Sequence, residues 1–302
     1  MQITILGRQP KLSLAELEAL FGAEKITPIS NYAALIDIPD VLPQDILGGT
    51  MKTAKVLTNL KNADLEQAFA YLQTSIPENL QYLPEGKLQL GVSIYGFKAQ
   101  RDWLLRQMLT LKKIVKKQGQ SVRIIENKHE ALESAQVLYN KLTGPLGWEL
   151  LLIKRDSDVI VAQTTAVQNI DEYSKRDFGR PKRDAFVGML PPKLAQTMIN
   201  LAKPHDDAVI VDPFCGTGVV LQEALLMGYD VIGSDLSDRM IEYSQVNTEW
   251  ILQHAQGART GKVLDIRQAD ATNYSWNFSK LAAKSSQIDI SVVCETYLGK
   301  PL

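Results

Sequence analysis

Four acidic residues and two glycines are spaced along the second half of the chain in a pattern that suits small-ligand chemistry. In Val209-Ile-Val-Asp-Pro-Phe-Cys-Gly-Thr-Gly218 an apolar run reads as a buried strand ending at Asp212. Gly216 and Gly218 then open the next helix. Glycine lets the backbone approach a ligand closely, and the free N–H groups of a helix start favour a carboxylate or phosphate. Asp212 adds the opposite preference, because a carboxylate at a strand end can hold an ammonium group. The dinucleotide fingerprint Gly-x-Gly-x-x-Gly fails at its third position, which is Leu221. A ligand with both an acidic and a cationic group therefore fits better than a nicotinamide dinucleotide.

Further acids follow at strand-like intervals. Gly233-Ser-Asp235 closes a second apolar run seventeen residues after Gly218, where a carboxylate suits the two hydroxyls of a ribose or caps the next helix. Asp270, in Gln268-Ala-Asp-Ala-Thr272, follows a third run and reads as either a ligand contact or a cap. Glu295-Thr-Tyr297 follows a fourth.

Positioning these groups requires a sheet. Strands are expected at Ala208–Asp212, Asp230–Asp235, Lys262–Gln268 and Ile288–Cys294, with helices at Val219–Met227 and Arg239–Gln253. That βαβαβ series predicts a parallel sheet, hence an α/β catalytic half. The front half mixes shorter elements into an α+β pattern. Strands are expected at Gln2–Leu6, Ala33–Ile38, Leu88–Ile94 and Val122–Ile125, and a hairpin at Glu149–Ile153 and Asp158–Ala162. Ser13 reads as an N-cap whose capping box is completed by Glu16. Gln100–Gln118 carries Trp103, Leu104, Met108, Leu111, Ile114 and Val115 at helical spacing.

The net charge of −1 conceals a segregated distribution. From Phe97 to Lys128 nine basic residues face only Asp102 and Glu126. Lys112, Lys113, Lys116 and Lys117 crowd the end of the expected helix, so a phosphate-contacting surface competes with an ordinary solvated face. A second basic stretch holds Arg180, Lys182 and Arg183. The 302 residues are 45% hydrophobic and 22% charged, ordinary for a globular chain of two or three domains. Two distant cysteines exclude a disulfide framework, and no Cys/His cluster has metal-ligand spacing, so no metal is expected. The start lacks the pattern of a signal peptide and no apolar run reaches membrane-spanning length, so the expected setting is soluble and cytoplasmic, with no membrane partner.

Arg180-Pro-Lys-Arg-Asp184, Gly188-Met-Leu-Pro-Pro-Lys-Leu-Ala195, Met198-Ile-Asn-Leu201 and Asp212-Pro-Phe-Cys-Gly-Thr-Gly218 together resemble the tRNA guanosine-10 N2-methyltransferase family. The resemblance implies an N-terminal ferredoxin-like module over residues 1–55 and a THUMP-like RNA-binding domain over 56–170. A basic linker over 171–190 and a Rossmann-like methyltransferase domain over 191–302 would follow. It implies S-adenosyl-L-methionine as cofactor and tRNA as partner, with methyl delivered to the exocyclic N2 of a guanosine. By position, Asp212, Phe214, Gly216 and Gly218 would hold the methionine part, Asp235 the ribose and Asp270 the adenine. Lys112, Lys113, Lys116, Lys117, Arg180, Lys182 and Arg183 would bind RNA.

Glu295 and Tyr297 stand where amino-directed methyltransferases carry Asp/Asn-Pro-Pro-Tyr/Phe, although Thr296 replaces a proline. The delocalised lone pair of an exocyclic amine makes it a poor nucleophile, so holding its orientation is most of the catalytic task. Glu295 would accept hydrogen bonds from that amine, and Tyr297 would stack on the base. The family sheet has seven strands and this sequence offers four, so the expectation is a catalytic domain cut after its fourth strand, completed by a missing segment or a partner protein. The rival expectations are an inactive protein that binds tRNA and cofactor, and an amino-directed DNA methyltransferase.

Overall fold

A computed structural model describes residues 1–184, 190–202, 204–255, 260–273 and 289–296. The chain divides into two compact units. The first comprises Met1–Leu14, Phe21–Asp45 and Thr50–Ile170, and the second Ala15–Leu20, Ile46–Gly49 and Asp171–Leu302.

The first unit contains β1 (Gln2–Leu6), β2 (Ile26–Ser30), β3 (Ala33–Ile36), β4 (Thr50–Leu60), β5 (Leu88–Tyr95), β6 (Val122–Ile124), β7 (Gly147–Arg155) and β8 (Asp158–Val167). Its helices are α2 (Leu65–Asn79), α3 (Arg101–Lys117) and α4 (Ser134–Tyr139), while α1 (Pro10–Phe21) contributes residues to both units. All eight strands form one sheet in the order β2-β3-β1-β4-β8-β7-β5-β6. The expected boundary after residue 55 falls inside β4, which is eleven residues long. Its beginning pairs with β1 and nearly its whole length pairs with β8, so the strands on both sides of that expected boundary share one sheet.

Apolar periodicity builds the main core of this unit. Leu104, Met108, Leu111 and Val115 point one face of α3 inward, against Phe69 and Leu72 of α2 and Leu90 and Val92 of β5. That orientation leaves Lys113, Lys116 and Lys117 exposed and Lys112 half-buried. An ion pair is also sealed in the sheet. Lys52 and Glu149 are buried against each other. Glu149 also accepts from Ser93 Oγ at 2.6 Å and Thr164 Oγ1 at 2.7 Å, and Lys52 Nζ donates to the Leu132 carbonyl at 2.8 Å.

The second unit contains α5 (Ile170–Phe178), α6 (Pro192–Ala202), β9 (Val209–Asp212), α7 (Val219–Leu226), β10 (Asp230–Asp235), α8 (Asp238–His254), β11 (Val263–Gln268) and β12 (Ile290–Val292). The stretch expected as a linker thus begins with a helix. Arg176 on α5 forks onto buried Glu223 of α7 at 2.7 and 3.2 Å, which explains why that segment packs instead of dangling. Among the described residues, four parallel strands lie in the order β11-β10-β9-β12.

Ser13 does not cap α1. The helix starts at Pro10, and the Ser13 N–H and Oγ both donate to the Gln9 carbonyl, at 3.0 and 3.1 Å. Proline suits a first helical position because its missing N–H would be unpaired there in any case. Glu16 is therefore released from a capping role and is fully buried within the second unit. Its carboxylate accepts from the N–H groups of Gly48 (2.9 Å) and Gly49 (2.8 Å) and from Asn200 Nδ2 (2.8 Å). Burial pushes its pKa up, against the pull of those donors. A side chain at Gly48 would collide with the Lys193 carbonyl, 2.2 Å from an added Cβ. No helix among the described residues is long and apolar enough to cross a membrane.

Candidate active site

The four-stranded sheet reverses its order between β10 and β12, on the two sides of β9. In open parallel sheets ligands bind at the carboxyl ends of the strands, beside such a switch point. Here that edge collects the acids singled out from the sequence. Gly233 of β10 pairs with Asp212 of β9, and the Val293 N–H donates to the Val211 carbonyl at 3.0 Å, which sets Cys294 and Glu295 beside the end of β9.

Asp212 is 2% exposed and receives one hydrogen bond among the described residues, from the Phe214 N–H at 3.1 Å. Burial, offset only in part by that bond and reinforced by the negative charges of Asp235 and Glu295, raises its pKa from 3.8 to about 7. Asp235 is half-buried. Its Oδ2 accepts from the Gly216 N–H at 3.0 Å and its Oδ1 from the Ser237 N–H at 2.9 Å. A carboxylate offers about four acceptor sites, so roughly two remain for a ligand.

The turn after β9 is held from several sides. The Cys215 N–H donates to the Ser234 carbonyl at 2.8 Å, and Ser244 Oγ of α8 donates to the Gly216 carbonyl at 2.8 Å. Gly218 has φ 81°, and a Cβ there would lie 2.9 Å from Ser244 Oγ, so conformation and space both require glycine. Phe214 remains 42% exposed beside it. The acids fit a ligand with an ammonium and a ribose, while the Gly216 and Gly218 N–H groups are already given to Asp235 and to the Cys215 carbonyl, so the turn offers close backbone approach and not free donors.

Asp270 is exposed and stays near its own turn. Its Oδ1 accepts from Thr272 N–H at 2.9 Å and Thr272 Oγ1 at 2.7 Å, which holds its pKa below the usual range. The Ala269 N–H donates to the Asp235 carbonyl at 3.0 Å, so Asp270 still belongs to the same sheet edge. Glu295 and Thr296 are exposed, while Tyr297 lies outside the described residues.

Among the expected RNA contacts, Arg180 needs correction. Its side chain is packed away at 3% exposure, without a hydrogen-bond partner among the described residues, and burial lowers its pKa despite nearby Asp177. A surface phosphate cannot reach it in this conformation. Lys182 is partly engaged, its ammonium 2.9 Å from Glu242 and its backbone clamped by Asn247 at 3.0 and 2.9 Å. Arg183 lies over the Phe178 ring at 5.2 Å. Lys112, Lys113, Lys116 and Lys117 make no ion pair among the described residues.

Asn247 went unnoticed in the sequence. It is fully buried and also donates to the Thr217 carbonyl at 2.8 Å, fastening the glycine turn to α8. Its signal was available as polarity at an apolar position of the helical period, with Ser244 one turn earlier. Arg176 and Glu223 lie 47 residues apart and left no local signal.

The parallel sheet with its glycine turn and acidic carboxyl edge is Rossmann-like, and residues 180–294 match the family model described as UPF0020, RMKL-like, methyltransferase domain. Part of the chain is similar to proteins named tRNA (guanine(10)-N2)-dimethyltransferase. The protein of that name from Methanocaldococcus jannaschii is 34% identical over 118 residues, which are 37% of this chain and 32% of that protein. The Methanothermobacter thermautotrophicus protein is 45% identical over 85 residues, 27% of this chain and 24% of its own length. The Pyrococcus abyssi protein is 36% identical over 95 residues, 32% and 26% respectively. The matches thus span about a third or less of those relatives. A solved structure of a predicted N6-adenine-specific DNA methylase from Listeria monocytogenes shares the fold. Its TM-score is 0.50 at 14% identity, covering 100% of this chain and 80% of that one.

Proposed function

We propose that this chain transfers a methyl group from S-adenosyl-L-methionine to the exocyclic N2 amine of a guanosine in tRNA, at position 10 by analogy with the relatives' names. The observation that carries the reading is the convergence of Asp212, Asp235 and Glu295 on the carboxyl edge of β9, β10 and β12 beside the Gly216–Gly218 turn. S-adenosyl-L-methionine supplies, when bound, an electrophilic methyl on a sulfonium. Asp212 holds the ammonium, and the cation returns this carboxyl to its ionised form. Asp235 keeps its bonds to Gly216 and Ser237 and offers its remaining acceptor sites to the ribose hydroxyls. Asp270 lies on the adenine side and Phe214 against the methionine.

Glu295 accepts hydrogen bonds from the guanine amine, fixing its lone pair toward the methyl and steadying the positive charge that develops on nitrogen. Tyr297 is assigned to stacking on the base. The exposed lysines of α3 (Lys113, Lys116 and Lys117, with half-buried Lys112) contact the RNA backbone.

The test is incubation of the chain with methyl-labelled cofactor and either unmodified tRNA or duplex DNA, followed by nucleoside analysis. Label in N2-methylated guanosine is the expected result. Label in DNA would favour the amino-directed DNA reading. Binding of tRNA and cofactor with no transfer would leave a binding protein and overturn the enzyme reading.

A further inference from the structure

The first unit carries an open cavity of about 580 Å³, well inside the range of roughly 300–1,000 Å³ typical of small-ligand sites. Its lining includes Lys87, Arg123 and Lys141 together with Tyr139, Gln89 and Asn140, and no carboxylate. Glu85 is a near neighbour in sequence but does not line it. The three cations come from separate stretches that the sheet brings together. Lys87 precedes β5, Arg123 lies in β6 paired with Gln89, and Lys141 follows α4. None of them has an ion pair among the described residues. Lys141 sits at φ 52°, a left-handed conformation uncommon for a lysine, with its N–H bonded to the Leu138 carbonyl at 3.0 Å.

Tyr139 is 84% exposed. It ends α4 with its ring in solvent, flanked by these cations and by the apolar edges of Pro145 and Leu146. A free aromatic face beside unneutralised cations, in a recess large enough for a nucleotide, is the chemistry that holds an unstacked base and its phosphates. A duplex keeps its bases stacked and could use only the cations.

We infer that this cavity receives one unpaired nucleotide of a single-stranded RNA segment, its base on Tyr139 and its adjoining phosphates on Lys87, Arg123 and Lys141. The inference rests on the reading of the chain as an RNA-modifying protein, and it places an RNA contact apart from the lysines of α3.

Fluorescence anisotropy of the full chain with a labelled short single-stranded RNA, and with the same sequence in duplex form, tests it. Tyr139→Ala is expected to weaken single-strand binding about tenfold or more, while Tyr139→Phe stays near wild type. The Lys87→Ala, Arg123→Ala, Lys141→Ala combination should flatten the salt dependence by about 0.7 in log–log slope per cation that met a phosphate. Duplex affinity should ignore Tyr139→Ala. These side chains are exposed, and circular dichroism checks that the variants remain folded. Unchanged single-strand affinity in Tyr139→Ala, or an equal loss for duplex, overturns the inference. Methyl transfer to tRNA is measured separately. Transfer with an insensitive Tyr139 sinks the cavity and spares the enzyme, and a sensitive Tyr139 without transfer does the reverse.

Discussion

Each unit buries at least one carboxylate, and Glu149 of the first and Asp212 of the second are treated differently. Glu149 lies in the middle of the first unit's sheet and is surrounded by donors: Lys52, Ser93 and Thr164. Asp212 sits at the edge of the second unit's sheet with one backbone N–H and two further negative charges for company. A buried charge that is fully met by hydrogen bonds and an opposite charge fixes architecture, because its partners have nothing left to offer a ligand. A buried acid left short of donors, with its pKa pushed to about 7, is poised to accept a cation from outside. The comparison separates a structural charge from a functional one by counting donors.

The largest effect should come from breaking the satisfied charge. Glu149→Ala leaves Lys52 buried without its counter-charge, and such losses cost roughly 3–5 kcal/mol. Chemical denaturation should reveal that loss in the unfolding of the first unit, while Asp212→Asn leaves that transition where it was. Equal destabilisation by both variants would erase the distinction.

Next is Glu295→Gln, which keeps a carbonyl acceptor and removes the charge. Single-turnover kinetics should fall on the order of 100-fold, with cofactor and tRNA affinities largely intact. A drop in affinity instead of rate would move Glu295 from chemistry to binding. Asp235→Ala should then weaken cofactor binding by roughly 1–3 kcal/mol, since hydroxyls would lose a charged acceptor. Calorimetry showing unchanged affinity in the folded variant removes this residue from the ribose position.

The smallest effect is a matter of pH. The cofactor's cation favours ionised Asp212, so affinity should be full above pH 7 and fall as pH drops below about 7, by up to about tenfold per unit. Asp212→Asn should bind more weakly and lose that slope. Persistence of the slope in the variant would assign the titration to another group.

Much of this was legible because local rules decide it. Apolar runs and the period-3.6 pattern located β1, β5, β10 and α3 to within a residue or two, since the three strands are buried on both faces and α3 buries one stripe. Asp64-x-x-Gln67 before Leu65, Phe69 and Leu72 was an equally local signal for α2 that went unread, and both capping bonds form at 2.8 Å. The acids at the sheet edge were legible as well, because strand ends and glycine turns leave marks in sequence. What escaped depended on pairing over distance. Nothing near Thr50–Leu60 says that one strand will pair with both β1 and β8, and nothing near Arg180 says that its charge will be buried. Glu16 looked like a capping residue because Ser13 stands three positions before it, yet its donors come from Gly48, Gly49 and Asn200.

That last arrangement has a consequence for the order of events during synthesis. Glu16 and Asn200 are separated by 184 positions. At roughly 5–20 residues per second, about 10–40 s pass between the appearance of the acid and that of the amide it binds. For most of that interval the Ala15–Leu20 and Ile46–Gly49 segments have been made while most of the unit they belong to has not. The first unit's sheet can close in the meantime, but the second cannot finish until its earliest-made residues are revisited by its later ones. Translation speed between Glu16 and Asn200 therefore sets how long a carboxylate destined for the interior waits for its partner.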